Sequence, residues 1–273
     1  MLEKFKYINH QGEVLEFGKA PLFVNENDLH DFSWEVNTVN NRISGFGRGI
    51  VEKTIPIILK CKSKVEGLQM RNRIFEVCEK DVLANKHGRI YVGDYYLKCF
   101  VTDCTKSGYL LSNEYMELEI GVQSDFPHWT KESVFYFGAE SSNTSGIDFK
   151  YDFPYDLPNN FFAKEIFNSD FVPSNFRIDI YGAAINPAIH IGNHEYKVNV
   201  EVEKGEYLTI DSTTKTIILT KNDGTKINCF KFRGRESYIF EKIKSGNNFI
   251  SSSAGEFRYV ITLLEDRSEP KWI

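Results

Sequence analysis

No stretch of this sequence stays apolar for the roughly 20 residues that a helix needs to cross a bilayer. The opening residues, MLEKFK, are interrupted by charged side chains and lack the apolar core of a signal peptide. The first absence argues against insertion into a membrane. The second leads us to expect that the chain is made and assembled in a reducing cytosol.

Cysteine is scarce, with 5 in 273 residues, and an odd count without a secretory signal is typical of free thiols. Cys99 and Cys104 are close enough in sequence to share a zinc ion, but no CxxC pair or flanking His pair completes four ligands. His190 and His194 lie four apart in a segment of strand and turn, where they share no helical face. We therefore predict no metal site and five free thiols: Cys61, Cys78, Cys99, Cys104 and Cys229.

The common catalytic motifs are also missing, since neither Gly-x-Ser-x-Gly nor HExxH occurs. The glycine-rich run Asn40–Gly49 lacks the Lys-Ser/Thr ending and the following helix of a phosphate-binding loop, so we predict a mobile loop. Glu201 and Glu203 have the spacing of a solvated strand face, and Glu265–Arg267 resembles a surface charge cluster. We predict no enzyme, no catalytic residue and no cofactor.

Positive charge does not dominate, because 33 Lys and Arg stand against 38 Asp and Glu, a net charge of −5. This balance argues against a protein that holds nucleic acid through its phosphates. Aromatic residues, in contrast, are plentiful, with 22 Phe and 14 Tyr, and they favour β-rich cores and interfaces. The length suits two modest domains or one large β-domain.

One helix is predicted, from Lys64 to about Asn85. Ser63 and Glu66 have the spacing of a capping box at its start, and Gly88 is a plausible stop. Its apolar residues recur at helical spacing and predict a stripe that faces the core: Val65, Leu68, Phe75, Cys78 and Val82.

Short strands surround this helix. Phe5–Ile8 and Val14–Phe17 flank a turn, and Gly93-Asp94 joins two further strands in the order of a type II′ hairpin. Phe32, Trp34 and Val36 alternate as one strand face, and Tyr115–Val122 alternates with its apolar residues inward. These patterns predict a mainly β protein whose first domain, 1–130, is α+β with helix 64–85.

The second predicted domain, 131–273, begins with a linker at 131–172. Glu140–Gly146 is polar, and Phe149–Pro158 is dense in aromatics and proline, which block regular strand pairing. From Phe176 onward strand and turn signals recur every 8–12 residues or so, as in a β-sandwich. Tyr196–Glu203 alternates as one strand, and Phe257, Tyr259, Ile261 and Leu263 line one face of the last.

The chain resembles the distal tail protein (Dit) family of long, non-contractile-tailed phages over nearly its full length. The residues that carry the resemblance are dispersed: YG..INP.I.IG...Y.V...V..GEYLTIDS within Tyr181–Ser212, DRSEPKW at 266–272, Lys6-Tyr7-Ile8-Asn9-x-x-Gly12, Leu29-x-x-Phe32-x-Trp34-Glu35, and Asp125–Trp129. The family implies a homohexameric ring that the N-terminal domain forms around a channel for DNA. It also implies that a loop or hairpin near Asn40–Gly49 contacts the neighbour around the ring, and that the C-terminal sandwich is galectin-like.

The partners implied by the resemblance are the tail tube protein, a tail-associated lysin or tail-fibre hub, and receptor-binding or adhesin proteins. The implied location is the virion, at the tail tip or baseplate, and a tail-derived bacteriocin remains open. The alternative function is a carbohydrate-binding module for host adhesion, in which an exposed aromatic stacks on a sugar. Trp129 and Trp272 are the candidates for that role, although both lie at domain or chain ends, where structural packing is favoured.

Overall fold

A computed structural model of the chain describes residues 4–24, 26–109, 115–138, 165–253 and 257–272. The chain forms two compact units, one of residues 1–131 with 266–273 and the other of residues 132–265. The last residues therefore group with the first unit, whereas the predicted second domain extended to the C-terminus. The protein is mainly β with one long helix among the described residues, as the sequence predicts.

The first unit is built on antiparallel strands that run in the order β3-β6-β9-β8-β7-β1-β2. The β7–β8 turn has Gly93 at φ +56°, as the first position of a type II′ turn requires. Strand β8 pairs with β7 over its first residues and with β9 over the rest, so it is shared by two layers. The bounds are β1 Phe5–Ile8, β2 Val14–Phe17, β3 Leu22–Val24, β4 Glu35–Val39, β5 Arg42–Gly47, β6 Val51–Lys60, β7 Gly88–Val92, β8 Tyr95–Tyr109, β9 Tyr115–Ser124 and β10 Trp129–Phe137.

Alternation along these strands places one set of side chains in a single apolar core. Leu118, Ile120 and Val122 are buried as predicted, and Met116 packs against them from the edge. The predicted hairpins at Phe5–Phe17 and around Gly93 are both present. Local turn chemistry and a two-residue period were therefore sufficient to predict this part of the fold.

Helix α1 runs from Lys64 to Ala84, with Ser63 as N-cap. The Ser63 hydroxyl accepts a hydrogen bond from the Glu66 amide at 3.3 Å, while the Glu66 carboxylate accepts from the Lys62 amide rather than from that of Ser63. The helix ends with Asn85 in the left-handed region at φ 49°. The predicted start is correct and the predicted end is within one residue, but the residue that stops the helix is Asn85 rather than Gly88, which begins β7. The Glu66 side chain caps one residue farther back than in a standard capping box.

The predicted inward stripe of α1 is wrong for four of its five residues. Val65, Leu68, Phe75 and Val82 are exposed, and only Cys78 is buried. The buried face is formed instead by Ile74, Val77, Cys78 and Asp81. At about 100° per residue the exposed stripe lies roughly 120° around the helix from the buried face, so the helix has two apolar faces.

The predicted mobile loop at Asn40–Gly49 is also wrong, because β4 and β5 form a hairpin across most of it. The turn residues Asn40 and Asn41 have φ values of 50° and 59°, the backbone of a type I′ turn. Asparagine tolerates the left-handed region, so the pair takes the place of the more common Asn-Gly. Phe32 and Trp34, predicted to share a strand face with Val36, precede β4.

The second unit is a β-sandwich whose two sheets enclose one core. One sheet has the order β19-β18-β17-β12-β21 and the other β11-β20-β14-β15, with β13 and β16 as a separate pair. The bounds are β11 Glu165–Asn168, β12 Asn175–Tyr181, β13 Ala184–Ile185, β14 Ala188–Ile191, β15 His194–Lys197, β16 Glu201–Val202, β17 Tyr207–Asp211, β18 Thr216–Thr220, β19 Lys226–Asn228, β20 Gly246–Ser253 and β21 Arg258–Arg267, with a 3-10 helix at Phe230–Phe232.

The core of this unit joins side chains from both sheets, including Ile178 and Ile210 from one and Ile166 and Ile189 from the other. Phe257, Tyr259, Ile261 and Leu263 are all buried, as the alternation of the last strand predicts. The sandwich is therefore confirmed in its layers.

Tyr196–Glu203, predicted as one strand, is divided between β15 and β16, which pair with different partners. The alternation still holds in burial, since Tyr196, Val198 and Val202 point inward. Gly182 lets two backbone segments approach closely here, because a Cβ at this position would lie 1.9 Å from the carbonyl oxygen of Glu203.

The predicted linker at 131–172 is partly strand, since it includes most of β10 and all of β11. Its segments Glu140–Gly146 and Phe149–Pro158 lie outside the described residues.

Candidate assembly surfaces

The β4–β5 hairpin has one apolar face, which is exposed to solvent. Val36 lies opposite Phe46, and a bulge after Asn37 places Ile43 opposite Thr38, so Val36, Ile43 and Phe46 share a face. Each of these three side chains is 52% to 62% exposed. Within the described residues the two strands pair only with each other. A two-stranded hairpin of this kind is marginally stable alone in water and gains stability from a surface that covers it.

Arg48 fastens the base of the hairpin to the first unit. Its guanidinium lies 4.1 Å from the centre of the Trp34 ring, and its Nη1 donates to the carbonyl oxygen of Pro127 at 2.6 Å. Burial lowers the pKa of Arg48 below its ordinary value. The hairpin is therefore held at its root, next to the Asp125–Trp129 segment, while its strands extend into solvent.

The outward face of α1 is the second exposed apolar surface of the first unit. We use this name for Val65, Leu68, Phe75 and Val82, which are 41% to 65% exposed. Successive members are three, seven and seven residues apart, so they lie along one side of the helix.

The inward face of α1 is fixed by a buried carboxylate, which determines how the helix is rotated. Asp81 is fully buried and accepts hydrogen bonds from the Tyr7 hydroxyl and from the amide of His10, the latter at 2.8 Å. Its Oδ1 also lies 2.5 Å from Nδ1 of His10. Burial, followed by the hydrogen bond to Asp81, raises the pKa of Tyr7 well above its ordinary range. Because these contacts hold Asp81 inside, Phe75 must point outward.

In the second unit, the outer face of the sheet β11-β20-β14-β15 mixes aromatic and polar side chains. The strand registers place Phe249 opposite Glu165 and Phe167 opposite Asn247. Phe167 and Phe249 are 58% and 74% exposed. On the same face, His190 Nε2 lies 3.6 Å from a carboxylate oxygen of Glu195. We call these residues the outer sheet face.

The tryptophans that the sequence offers for sugar stacking have different positions. Trp129 is 1% exposed in the core of the first unit, which agrees with the packing role that its place in the sequence favours. Trp272 is exposed, and its ring stacks on His30 with the ring centres 4.0 Å apart. The exposed phenylalanines of the outer sheet face were missed because Phe249 stands alone between asparagine and serine-rich segments in the sequence.

The residues considered for chemistry are dispersed. Glu201 and Glu203 are exposed, as a solvated strand face predicts, and the five cysteines are free thiols. His190 and His194 lie on opposite strands of the β14–β15 hairpin, where His190 pairs with Glu195 and His194 with Ile191. No group of three or more potential metal ligands occurs within the described ranges.

The predicted surface charge cluster at Glu265–Arg267 is wrong for Glu265, which is buried. Its carboxylate accepts hydrogen bonds from the hydroxyls of Ser133 at 2.9 Å and Ser169 at 2.8 Å. The next residue, Asp266, accepts from Thr130 at 2.7 Å. These carboxylates therefore serve as structural hydrogen-bond acceptors for β10 and the turn after β11.

In the part of the chain that the structure describes, no helix combines the length and the apolar character needed to span a membrane.

Neither a protein-family model nor a curated protein sequence matches the chain. Solved structures do match, over nearly the whole length of both partners.

A chain of the phage P2 baseplate in its activated conformation with calcium is 14% identical, with a TM-score of 0.60, over 99% of this chain and 100% of that one. The p2 baseplate with strontium gives 13% identity and a TM-score of 0.61, over 99% and 100%. The Dit protein of phage SPP1, described as a paradigm of the hub adsorption apparatus in phages that infect Gram-positive bacteria, is 11% identical, with a TM-score of 0.60, over 96% and 99%. The chain thus has the fold of the phage Dit hub proteins, and the resemblance predicted from its sequence is confirmed at the level of the fold.

Proposed function

We propose that this protein is a structural component of a phage tail, located in the virion at the tail tip or baseplate. The observation that carries the proposal is the match to baseplate and Dit chains along almost the full length of both partners. Such a match includes both units rather than one common sandwich domain. In this role the protein is not an enzyme, and its functional residues are those of its interfaces.

The proposed form is a homohexameric ring built by the first unit, which joins the tail tube to the adhesion apparatus and keeps a channel for DNA. A head-to-tail contact between identical subunits closes into a ring when its rotation divides the full circle. A permanent ring needs large, rather apolar contacts, on the order of 2,000 Å² or more each. The exposed apolar surfaces of the hairpin and of α1 supply side chains of that character.

The proposed partners follow from the position of a hub. The tail tube protein stacks on one side of the ring, and a tail-associated lysin or fibre hub on the other. The second unit binds receptor-binding or adhesin proteins. A channel wall that is acidic or neutral lets DNA slide rather than adhere, and the net charge of −5 is compatible with such a wall.

Light scattering of the purified chain tests the ring. We expect a mass of six subunits, and ring-shaped particles by negative-stain electron microscopy. A mass of one subunit over a wide concentration range, with no assembly on addition of a tail tube protein, contradicts the proposal. The channel wall is tested separately by DNA retention at low salt, which we expect to be negligible.

A second candidate function is carbohydrate binding on the outer sheet face. Phe167 and Phe249 offer ring surfaces, while Asn247, His190 and Glu195 offer hydrogen-bonding groups on the same side of the sheet. A glycan array with the intact protein should show a ligand class whose binding is lost in Phe249→Ala and kept in Phe171→Ala. Phe171 is an exposed aromatic residue in the turn after β11 and serves as the control. Absence of any glycan signal above background excludes this second function.

A further inference from the structure

The described part of the first unit exposes two apolar surfaces. One is the face of the β4–β5 hairpin that carries Val36, Ile43 and Phe46, and the other is the outward face of α1, with Phe75 near its middle. Among the residues that the structure describes, nothing covers either surface enough to bury it. Large apolar patches of this kind mark sites where another macromolecule binds.

The two surfaces complement one another in form. The hairpin is a flat, two-stranded element with an apolar side, and the helix presents a stripe of apolar side chains one helical face wide. The seven residues of the two surfaces expose on the order of 700 Å² in all, a substantial part of the area that a standard protein–protein interface buries.

Their stoichiometry favours a second copy of this chain as the occupant. Each subunit has one hairpin and one outward helix face, so a head-to-tail contact covers both without any other protein. A contact between two hairpins would instead be isologous, would stop at a dimer and would leave the helix face uncovered. A single contact of hairpin on helix repeats from subunit to subunit.

We propose that the outward face of α1 receives the apolar face of the β4–β5 hairpin from the neighbouring subunit. This inference rests on the proposed ring and names the surface that accepts the hairpin. Phe46 on the hairpin and Phe75 on the helix are the central side chains of the two halves. Asp81, by holding the inward face of the helix against Tyr7 and His10, keeps the accepting face turned outward.

Two charge-introducing variants and their mixture test the contact. Phe46→Glu removes the inserting half and Phe75→Glu removes the accepting half, and both positions are exposed in the subunit. We expect each variant alone to be a folded monomer. Mixed at high concentration, they should form a heterodimer and nothing larger, because one good hairpin and one good helix face remain between them. Phe171→Glu, at an 83% exposed residue of the second unit, is the matched control and should assemble like the unaltered chain.

The other outcomes each overturn a different statement. If the unaltered chain itself is a monomer, the proposed ring fails. If Phe46→Glu is a monomer while Phe75→Glu assembles normally, the ring stands and the helix is not the acceptor. If Phe75→Glu forms a homodimer that Phe46→Glu abolishes, hairpins pair with hairpins. Circular dichroism identifies a variant that fails to fold, and Leu68→Glu then replaces Phe75→Glu as the probe of the helix face.

Discussion

The two units of this chain expose their apolar side chains in different ways. In the first unit they include those of the β4–β5 hairpin and those on the outward face of helix α1. In the second unit they lie on the outer sheet face, on the short strands β13 and β19 and on turns, and its described residues include no α-helix. A hairpin and a helix face on one unit can bind a copy of that unit in a repeated way, whereas a mixed aromatic and polar sheet face suits a partner of another kind.

The units also differ in how their interiors are secured. In the first, Asp81 holds a helix to the β1–β2 turn through side chains distant in sequence. In the second, Gly182 permits a close approach of two backbone segments. Substitutions that damage one unit should therefore leave the other folded, and the following predictions test that separation from the largest effect to the smallest.

Asp81→Ala should lower the free energy of unfolding of the first unit by about 3 kcal/mol. The change leaves the Tyr7 hydroxyl and the His10 amide without their buried acceptor. Urea unfolding, monitored with a separate spectroscopic probe in each unit, measures the effect. The free energy of unfolding of the second unit should not change. Asp81→Asn, which keeps an acceptor oxygen, should cost less. Equal losses from both changes would contradict this account.

Gly182→Ala should destabilise the second unit by about 2 kcal/mol, because a Cβ cannot fit 1.9 Å from the Glu203 carbonyl oxygen without movement of the backbone. Thermal unfolding of that unit is the measurement. Gly45→Ala is the control, since a Cβ at Gly45 meets no atom within 4 Å. A neutral Gly182→Ala would show that the two segments separate at little cost.

Alkaline pH should weaken the first unit more than the second between pH 9 and 10. Burial raises the pKa of Cys78 from 9.0 to about 12 and also raises that of Cys99. A thiol whose pKa is higher in the folded chain gives its full stability below the unfolded value and loses it as pH rises toward the folded value. Each buried thiol should therefore cost about 1 kcal/mol over this interval.

Urea unfolding of the unaltered chain and of Cys78→Ala at pH 9 and pH 10 checks this pH dependence. The variant should lose less stability across the interval. The second unit carries only Cys229, so its loss should be smaller. Buried tyrosines occur in both units and titrate at higher pH, which is why the interval ends at 10. An identical slope in the variant would count against the thiol as the cause.

Ser63→Ala should have the smallest effect, a loss of about 0.5–1 kcal/mol from the first unit, because the Glu66 amide loses its capping oxygen. Ser63→Asp, which retains an acceptor at the N-cap, should keep the stability of the unaltered chain. Helix content and unfolding midpoint are the measurements. An unchanged midpoint for Ser63→Ala would mean that the Glu66 carboxylate, bound to the Lys62 amide, holds the first turn alone.

What the sequence predicted well was determined locally. The β1–β2 and β7–β8 hairpins follow from turn residues, and the burial of Tyr259, Ile261 and Leu263 follows from alternation within one strand. The start of α1 follows from Ser63 and Glu66, which are only three residues apart.

What the sequence did not predict depends on distant partners. Helical spacing shows that α1 has apolar residues but not which of two apolar faces meets the sheet, and Tyr7 and His10 decide that by holding Asp81. The glycines of Asn40–Gly49 favoured a loop, although Asn40-Asn41 between Val36, Ile43 and Phe46 is also a hairpin pattern. Glu265 resembles a surface residue until Ser133 and Ser169 are brought to it.

The two asparagines at the tip of the hairpin have a consequence for assembly. Because both residues occupy the left-handed region, the turn favours the register and twist of the paired strands, even though the hairpin alone is only marginally stable. A hairpin that is preorganised in this way loses less conformational entropy on binding, so more of the free energy from its apolar contacts contributes to affinity. In the proposed ring, the hairpin would therefore lose less conformational entropy on binding its neighbour than an unstructured loop of the same length.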